Sequence, residues 1–271
     1  MKNKKVLVVL GGTSGERAVS LESGNSCAKA LKKKGYKVSI FDPKKKLFNL
    51  IDRNKVDIIF NALHGKDGED GIAQSYFEYL RIPYTHSGVI SSHNAMNKVI
   101  SKKIFEINKI KTPKYFVINR KNFNKKNINI TIKRKKIKFP IVVKPINEGS
   151  SLGVYICKNL NEINKSTKSL YKKYEEIMFE PYIGGQEIQV AVINGKPLGA
   201  IELRPKRKFY DYKAKYSKKA KTEHIMPANL KKNRYSEVLK IAKKAHDALE
   251  CKGVTRSDFK FYKNKFYLLE L

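Results

Sequence analysis

Apolar and polar positions in the first ninety residues switch between two periods. Residues 6–10 (V-L-V-V-L) form a short apolar run ending on Gly11-Gly12, as a buried strand does on entering a turn. Residues 20–34 carry apolar side chains at helical spacing, with Leu21, Ala28 and Leu31 on one face and Gly35 as the stop. A strand over 36–41, a helical stretch near 45–53, a strand over 56–63 and a helix over 72–80 follow. This alternation predicts a doubly wound α/β unit, in which ligands gather at the carboxyl ends of strands. Two loops fall at such ends: G-G-T-S-G-E-R after the first strand, and H-G-K-D-G-E-D-G after Leu63.

Beyond that unit the pattern predicts a helix over 95–108 and strands at 115–118, within F-P-I-V-V-K-P, and at 154–157. A helix over 160–174 precedes strands at 177–180 and 188–193. N-G-K-P then reads as a hairpin turn into a strand over 198–203. A long polar loop from Arg204 leads to a helix over 235–249 and a closing hairpin over 256–271. If Lys263, Asn264 and Lys265 make a three-residue loop there, Tyr262 faces Phe266, Lys260 faces Leu268 and Asp258 faces Glu270. The F-Y-L-L run before Glu270 suggests a packed central strand.

Composition narrows the class. At 271 residues with 41% hydrophobic content, the chain can bury a sizeable core. No apolar run reaches the length of a membrane span, and the start lacks a signal-peptide layout. Cys27, Cys157 and Cys251 are scattered and odd in number; together with these features they favour a reduced, cytoplasmic setting. The formal charge of +34 invites a polyanion partner. Lysine is spread over nearly every segment, however, and the densest patch, 121–139, lacks an RNA-binding signature. A solvated surface is favoured over a specific nucleic-acid site.

Chemistry concentrates in two places. In V-V-K-P-I-N-E-G-S-S-L-G, glycines let the backbone approach an anion, Ser150 and Ser151 supply donors, and Lys144 lies at the preceding strand's end. An ordinary glycine-rich hairpin loop would read the same way. The terminal carboxylates are the stronger signal. Two acids opposed across a buried hairpin cost several kcal/mol unless a cation lies between them or one is protonated, on the order of a broken buried pair. Hard oxygen ligands select Mg²⁺ or Mn²⁺, and Arg256 shares the strand face of Asp258. Glu16 and His64, in the two N-terminal loops, could orient a small polar substrate, although a lone loop acid or histidine is more often structural. Cys27 and Cys251 read as packing residues.

Taken together, the motifs resemble the D-alanine–D-alanine ligases of the ATP-grasp superfamily. The resemblance runs through L-G-G-T-S-G-E-R-A-V-S-L-x-S-G, A-L-H-G-K-D-G-E-D-G, I-P-Y-T-H-S-G-V, N-K-x-x-S-K, V-V-K-P-I-N-E-G-S-S-L-G-V, F-Y-D-Y-K-A-K-Y, C-K-G-V-T-R-S-D and F-Y-L-L-E, from Lys5 to Glu270. It implies a doubly wound domain over 1–93, followed by an ATP-grasp fold of two α+β subdomains, 94–183 and 184–271, the last incomplete. The implied reaction phosphorylates one D-alanine with ATP and lets a second displace phosphate, making D-alanyl-D-alanine for peptidoglycan.

The resemblance also implies residue roles. Glu16 anchors the first substrate's ammonium in a hydrogen-bonded trio with Ser150 and Tyr216, and His64 lies near its carboxylate. Lys98, Lys144 and Ser151 meet the phosphates, and Lys215 reaches the γ-phosphate from a mobile lid. Glu180 and Ile183 belong to the adenine linker, while Glu187 holds ribose. Arg256 stabilises the transferring phosphate, and Asp258 and Glu270 bind magnesium or manganese. Departures are Ala18, Asn97 and Pro181, where the family commonly carries Glu, Asp and a residue with a backbone N–H. Relatives also continue past L-L-E with N-x-x-P-G-M-T, so a further asparagine metal ligand is expected beyond Leu271. D-Serine or D-lactate as second substrate, and a non-catalytic nucleotide-binding chain, are the alternatives. The expected partners are D-alanine and ATP, with no specific nucleic acid and no membrane; a homodimer is among the assemblies allowed.

Overall fold

The computed structural model describes residues 3–205 and 222–271. The chain is α/β and divides into two compact units, Met1–Met96 with Val192–Lys196 and His246–Thr255, and Asn97–Ala191 with Pro197–Ala245 and Arg256–Leu271.

In the first unit, β1 (Lys5–Val9) is the centre of a parallel sheet between β2 (Lys37–Phe41) and β3 (Ile58–Asn61). Successive β1 side chains serve opposite faces. Val6 and Val8 pack with Ala28 of α1 (Arg17–Lys33), whereas Leu7 and Val9 pack with Ala73 and Phe77 of α2 (Ile72–Tyr79). Helices therefore cover both faces, as the strand–helix alternation predicts. Ser20 ties α1 to the strand ends, accepting from Gly11 N at 2.8 Å and donating to Ala62 O at 2.6 Å. The helical stretch expected near 45–53 is instead two 3-10 turns, Phe48–Leu50 and Arg53–Lys55. Asp52 accepts from Asn54 N and closes the second turn locally, and Phe48 stacks between Phe41 and Tyr76 rather than lining a helix face.

Arg17 grips Asp42 with both guanidinium ends, at 2.9 and 2.7 Å, and also donates to Gly12 O at 2.8 Å. Gly12 N and Lys44 N donate to the same carboxylate. The loop after β1 is thus locked to the end of β2. The Arg17 hydrogen bond holds the Asp42 carboxyl at about 2, below its ordinary 3.8. A depressed folded value gives stability that is present above about pH 4 and lost as pH falls toward 2. Asp42→Asn should therefore lower stability at pH 7 by about 1–2 kcal/mol and flatten the acid limb of a urea-midpoint-versus-pH curve.

After α3 (Val89–Met96), Asn97 accepts from Val99 N and Ile100 N and so starts α4 (Lys98–Ile107). This cap splits the single helix expected over 95–108. In the second unit an antiparallel sheet has the order β4 (Phe116–Asn119), β7 (Glu176–Pro181), β5 (Ile141–Pro145), β6 (Tyr155–Cys157). Its closed face buries Ile141, Val143, Ile177 and Phe179 against α5 (Lys125–Arg134) and α6 (Leu160–Leu170). The basic patch therefore folds as a helix that inserts Ile128 and Ile132 into the core, while Lys133 and Arg134 stay exposed.

A five-stranded sheet follows, in the order β10 (Glu223–Ile225), β9 (Lys196–Arg204), β8 (Gln186–Ile193), β11 (Val254–Tyr262), β12 (Lys265–Glu270), with α7 over Lys232–Ala248. Asn194-Gly195, both at positive φ, make the predicted hairpin turn between β8 and β9. The closing hairpin departs from expectation twice. Its turn has two residues, Lys263 and Asn264, also both at positive φ, so Tyr262 pairs with Lys265, Lys260 with Tyr267 and Phe259 with Leu268. Moreover, β12 is an edge strand rather than a central one; Leu268 N donates to Lys111 O, which covers part of that edge.

Candidate active site

Asp258 nevertheless pairs with Glu270, because a β-bulge shifts the register by one residue between Phe259 and Asp258. The extra residue is Leu269. A regular strand sends successive side chains to opposite faces, whereas a bulge can turn two consecutive ones the same way. Leu269 and Glu270 accordingly line one cleft together with Asp258 and Lys260.

That cleft, of ≈ 720 Å³ with the solvent space at its mouth included, lies wholly in the second unit and is lined from both sheets. It collects Lys98, Lys144, Ser151, Glu180, Ile183, Glu187, Asp258 and Glu270, drawn from positions far apart in the chain. The two acids do not face each other uncompensated. Arg256 donates to both Asp258 oxygens, at 2.8 and 3.0 Å, and Lys98 lies 3.4 Å from Glu270. Carboxylate oxygens carry further lone pairs, so both acids could still offer oxygens to a hard divalent cation.

Across the cleft, Glu180 and Lys144 share the open face of the antiparallel sheet, diagonal to one another because Val142 pairs with Glu180. Lys144 Nζ lies 2.5 Å from Glu180 Oε1, and Lys102 Nζ lies 2.9 Å from Oε2. Burial pushes the Glu180 carboxyl up, but Lys102 and Lys144 together hold it below its usual value. Burial pulls the Lys98 ammonium down, opposed by Glu270. Lys260 pairs with Glu187 at 2.5 Å.

Between β5 and β6 the loop turns through Ser150, Ser151 and Gly153, all at positive φ. Two consecutive non-glycine residues in that region are costly and persist only where the surroundings hold them. Here Tyr174 Oη donates to Glu148 Oε1 at 2.8 Å, and Lys98 Nζ donates to Glu148 O.

The remaining predicted residues lie elsewhere. Glu16 and His64 belong to the first unit, at the carboxyl ends of β1 and β3. A Cβ on Gly65 would lie 2.6 Å from Glu16 Oε2, so glycine at this positive-φ position lets the carboxylate reach the loop beside His64. His64 Nε2 is 3.0 Å from Ser23 Oγ, and Ser14 Oγ donates to His64 O at 2.6 Å. Lys215 and Tyr216 lie outside the described residues. Sequence reasoning missed Lys102, Lys260 and Leu269, which look like ordinary surface lysines and a strand leucine. The N-K-x-x-S-K spacing was the one signal for Lys102, since a residue four along a helix from Lys98 shares its face.

A lysine on β5 facing one cleft with a second from α4, the serine-glycine loop that follows β5 and opposed carboxylates on a second sheet are the arrangement of an ATP-grasp ligase. The chain belongs to the D-ala D-ala ligase family: the family's C-terminal signature matches residues 104–271, and its N-terminal signature matches 41–87. It is 58% identical to the D-alanine--D-alanine ligase of Pelagibacter ubique over 99% of this chain and 87% of that relative. Among solved structures, D-alanine--D-alanine ligase from Bacillus anthracis superposes with TM-score 0.85 at 33% identity, over 98% of this chain and 86% of that one. The same enzyme complexed with ATP gives 0.84 at 31% identity, over 100% and 86%.

Proposed function

We propose that this protein joins two D-alanines at the expense of ATP, through an acyl phosphate, to supply a peptidoglycan precursor in the cytoplasm. The observation that carries this reading is the convergence of Lys98, Lys144, Glu180, Asp258 and Glu270 on one cleft. Residues 1–93 take the first amino acid, with Glu16 on its ammonium and His64 near its carboxylate. Residues 94–183 and 184–271 hold the nucleotide between them.

Phosphoryl transfer asks for positioning and charge neutralisation more than for covalent help. Lys98 and Lys144 offer two ammonium groups to the phosphates, and Ser151 adds donors from the loop. Glu180 and the backbone through Ile183 take adenine, and Glu187 takes ribose. Arg256, aimed by Asp258, meets the charge that develops on the transferred phosphoryl and on the oxyanion of the tetrahedral intermediate. Asp258 and Glu270 would hold Mg²⁺ or Mn²⁺, which supplies neutralisation of phosphate charge when bound. Ser150 and Tyr216 act on the amino-acid substrate, and Lys215 acts on the γ-phosphate.

Incubating the full-length protein with ATP, Mg²⁺ and D-alanine should release ADP in a D-alanine-dependent way and yield D-alanyl-D-alanine by mass spectrometry. D-Serine and D-lactate, offered as competitors, should enter the product poorly. Nucleotide binding without any D-alanine-dependent ADP release would reject the assignment.

A further inference from the structure

Lys102 has no solvent exposure, although it sits on α4 one turn beyond the cleft-lining Lys98. Its ammonium meets Thr112 Oγ1 at 2.8 Å, Pro113 O at 3.1 Å and Glu180 Oε2 at 2.9 Å, and it lies 5.4 Å from the centre of the Tyr115 ring. Thr112 Oγ1 and Pro113 O accept hydrogen bonds from this ammonium, and the Glu180 carboxylate lies within ion-pair distance of it. Fully buried, Lys102 does not line the cleft, whereas its partner Glu180 and the second lysine Lys144 both do. A buried ion pair adds little net stability over an apolar pair of the same volume, so stability alone is a weak reason for this arrangement. Its geometry gives a better one: the Glu180 carboxylate is divided between one ammonium that is sealed away and one that faces the cleft.

We propose that Lys102 is a positioning residue for nucleotide binding: it holds Glu180 from the buried side, so that Lys144 is shared with the phosphates instead of being locked to Glu180. The inference rests on the nucleotide roles proposed above for Lys144 and Glu180. Without Lys102, Glu180 would keep Lys144 as its one ion-pair partner among the described residues, and an incoming phosphate would compete with a buried carboxylate for it. Taking away one partner of a buried charge network costs far more than the network contributes as a whole, and here the cost falls on the ligand.

The test is calorimetric titration of ATP into the wild-type protein, Lys102→Met, Glu180→Gln and the double variant, alongside steady-state kinetics. Lys102→Met should weaken ATP binding about tenfold or more and raise KM for ATP in proportion, with KM for D-alanine and kcat within about twofold. In the Glu180→Gln background, where no carboxylate charge competes for Lys144, the same change should cost less than about threefold. Equal ATP affinity in Lys102→Met and wild type would overturn the proposal. So would an equal loss in both backgrounds, or a uniform loss in kcat and both KM values. If Lys102→Met does not fold, Thr112→Val removes one anchor only and should weaken ATP binding about threefold with KM for D-alanine unchanged; no change overturns the proposal. Failure of the wild-type protein to bind ATP would instead count against the functional assignment itself.

Discussion

Asp258→Asn should cut D-alanine-dependent ADP release by about 10²–10³-fold, comparable to losing one transition-state donor elsewhere. The substitution keeps the shape of the side chain but removes its charge, and the Arg256 guanidinium pairs with that charge. Asp258 stands opposite Glu270 in the cleft, and it receives the Arg256 fork through both oxygens. The variant should also lose much of the effect of Mg²⁺ on ATP affinity, measured by titration with and without the metal. Glu270→Gln should share this loss of metal dependence. Turnover within about threefold of wild type would remove the pair from the reaction.

Arg256→Lys should lower kcat by about 10²-fold while leaving ATP affinity within about threefold. Arg256 donates through Nε and a terminal nitrogen to the two oxygens of Asp258, a planar match that an ammonium cannot reproduce. Its side chain is 55% exposed, so the change should leave the melting temperature nearly unchanged. Because Asp258 aims Arg256, Asp258→Asn and Arg256→Lys should be far from additive in kcat. Equal losses in kcat and ATP affinity would assign Arg256 to ground-state binding.

The closing hairpin shows how a correct pair can come from an incorrect register. The K-N-K stretch suggests a three-residue loop, and that count places Asp258 opposite Glu270. The turn has two residues, which alone would have set Asp258 against Leu269; the bulge at Leu269 restores the acidic pair. Alternation of side chains reveals which residues can share a face, but a bulge leaves no local mark because its cost is met by neighbouring strands. The basic patch is a similar case. Ile128 and Ile132 have helical spacing, yet Lys and Asn around them mask an amphipathic face that the sheet core completes.

Lys102 marks the other limit. With 58 lysines and arginines in the chain, nothing in composition separates a buried ammonium from a solvated one. The difference lies in Glu180, Thr112 and Pro113, which the fold brings around it.

The sequence by itself determined the strand–helix alternation of the first unit, the serine-glycine loop after Lys144, the terminal carboxylates and, through its collinear motifs, the family. These follow from side-chain periodicity, turn chemistry and residue type, all of which act locally. Only the tertiary structure decided that β12 is an edge strand, that Leu269 and Glu270 point the same way, and that Glu180 is shared between Lys102 and Lys144. Strand order, bulges and charge burial depend on which distant segments come together, and no short stretch of chain carries that information.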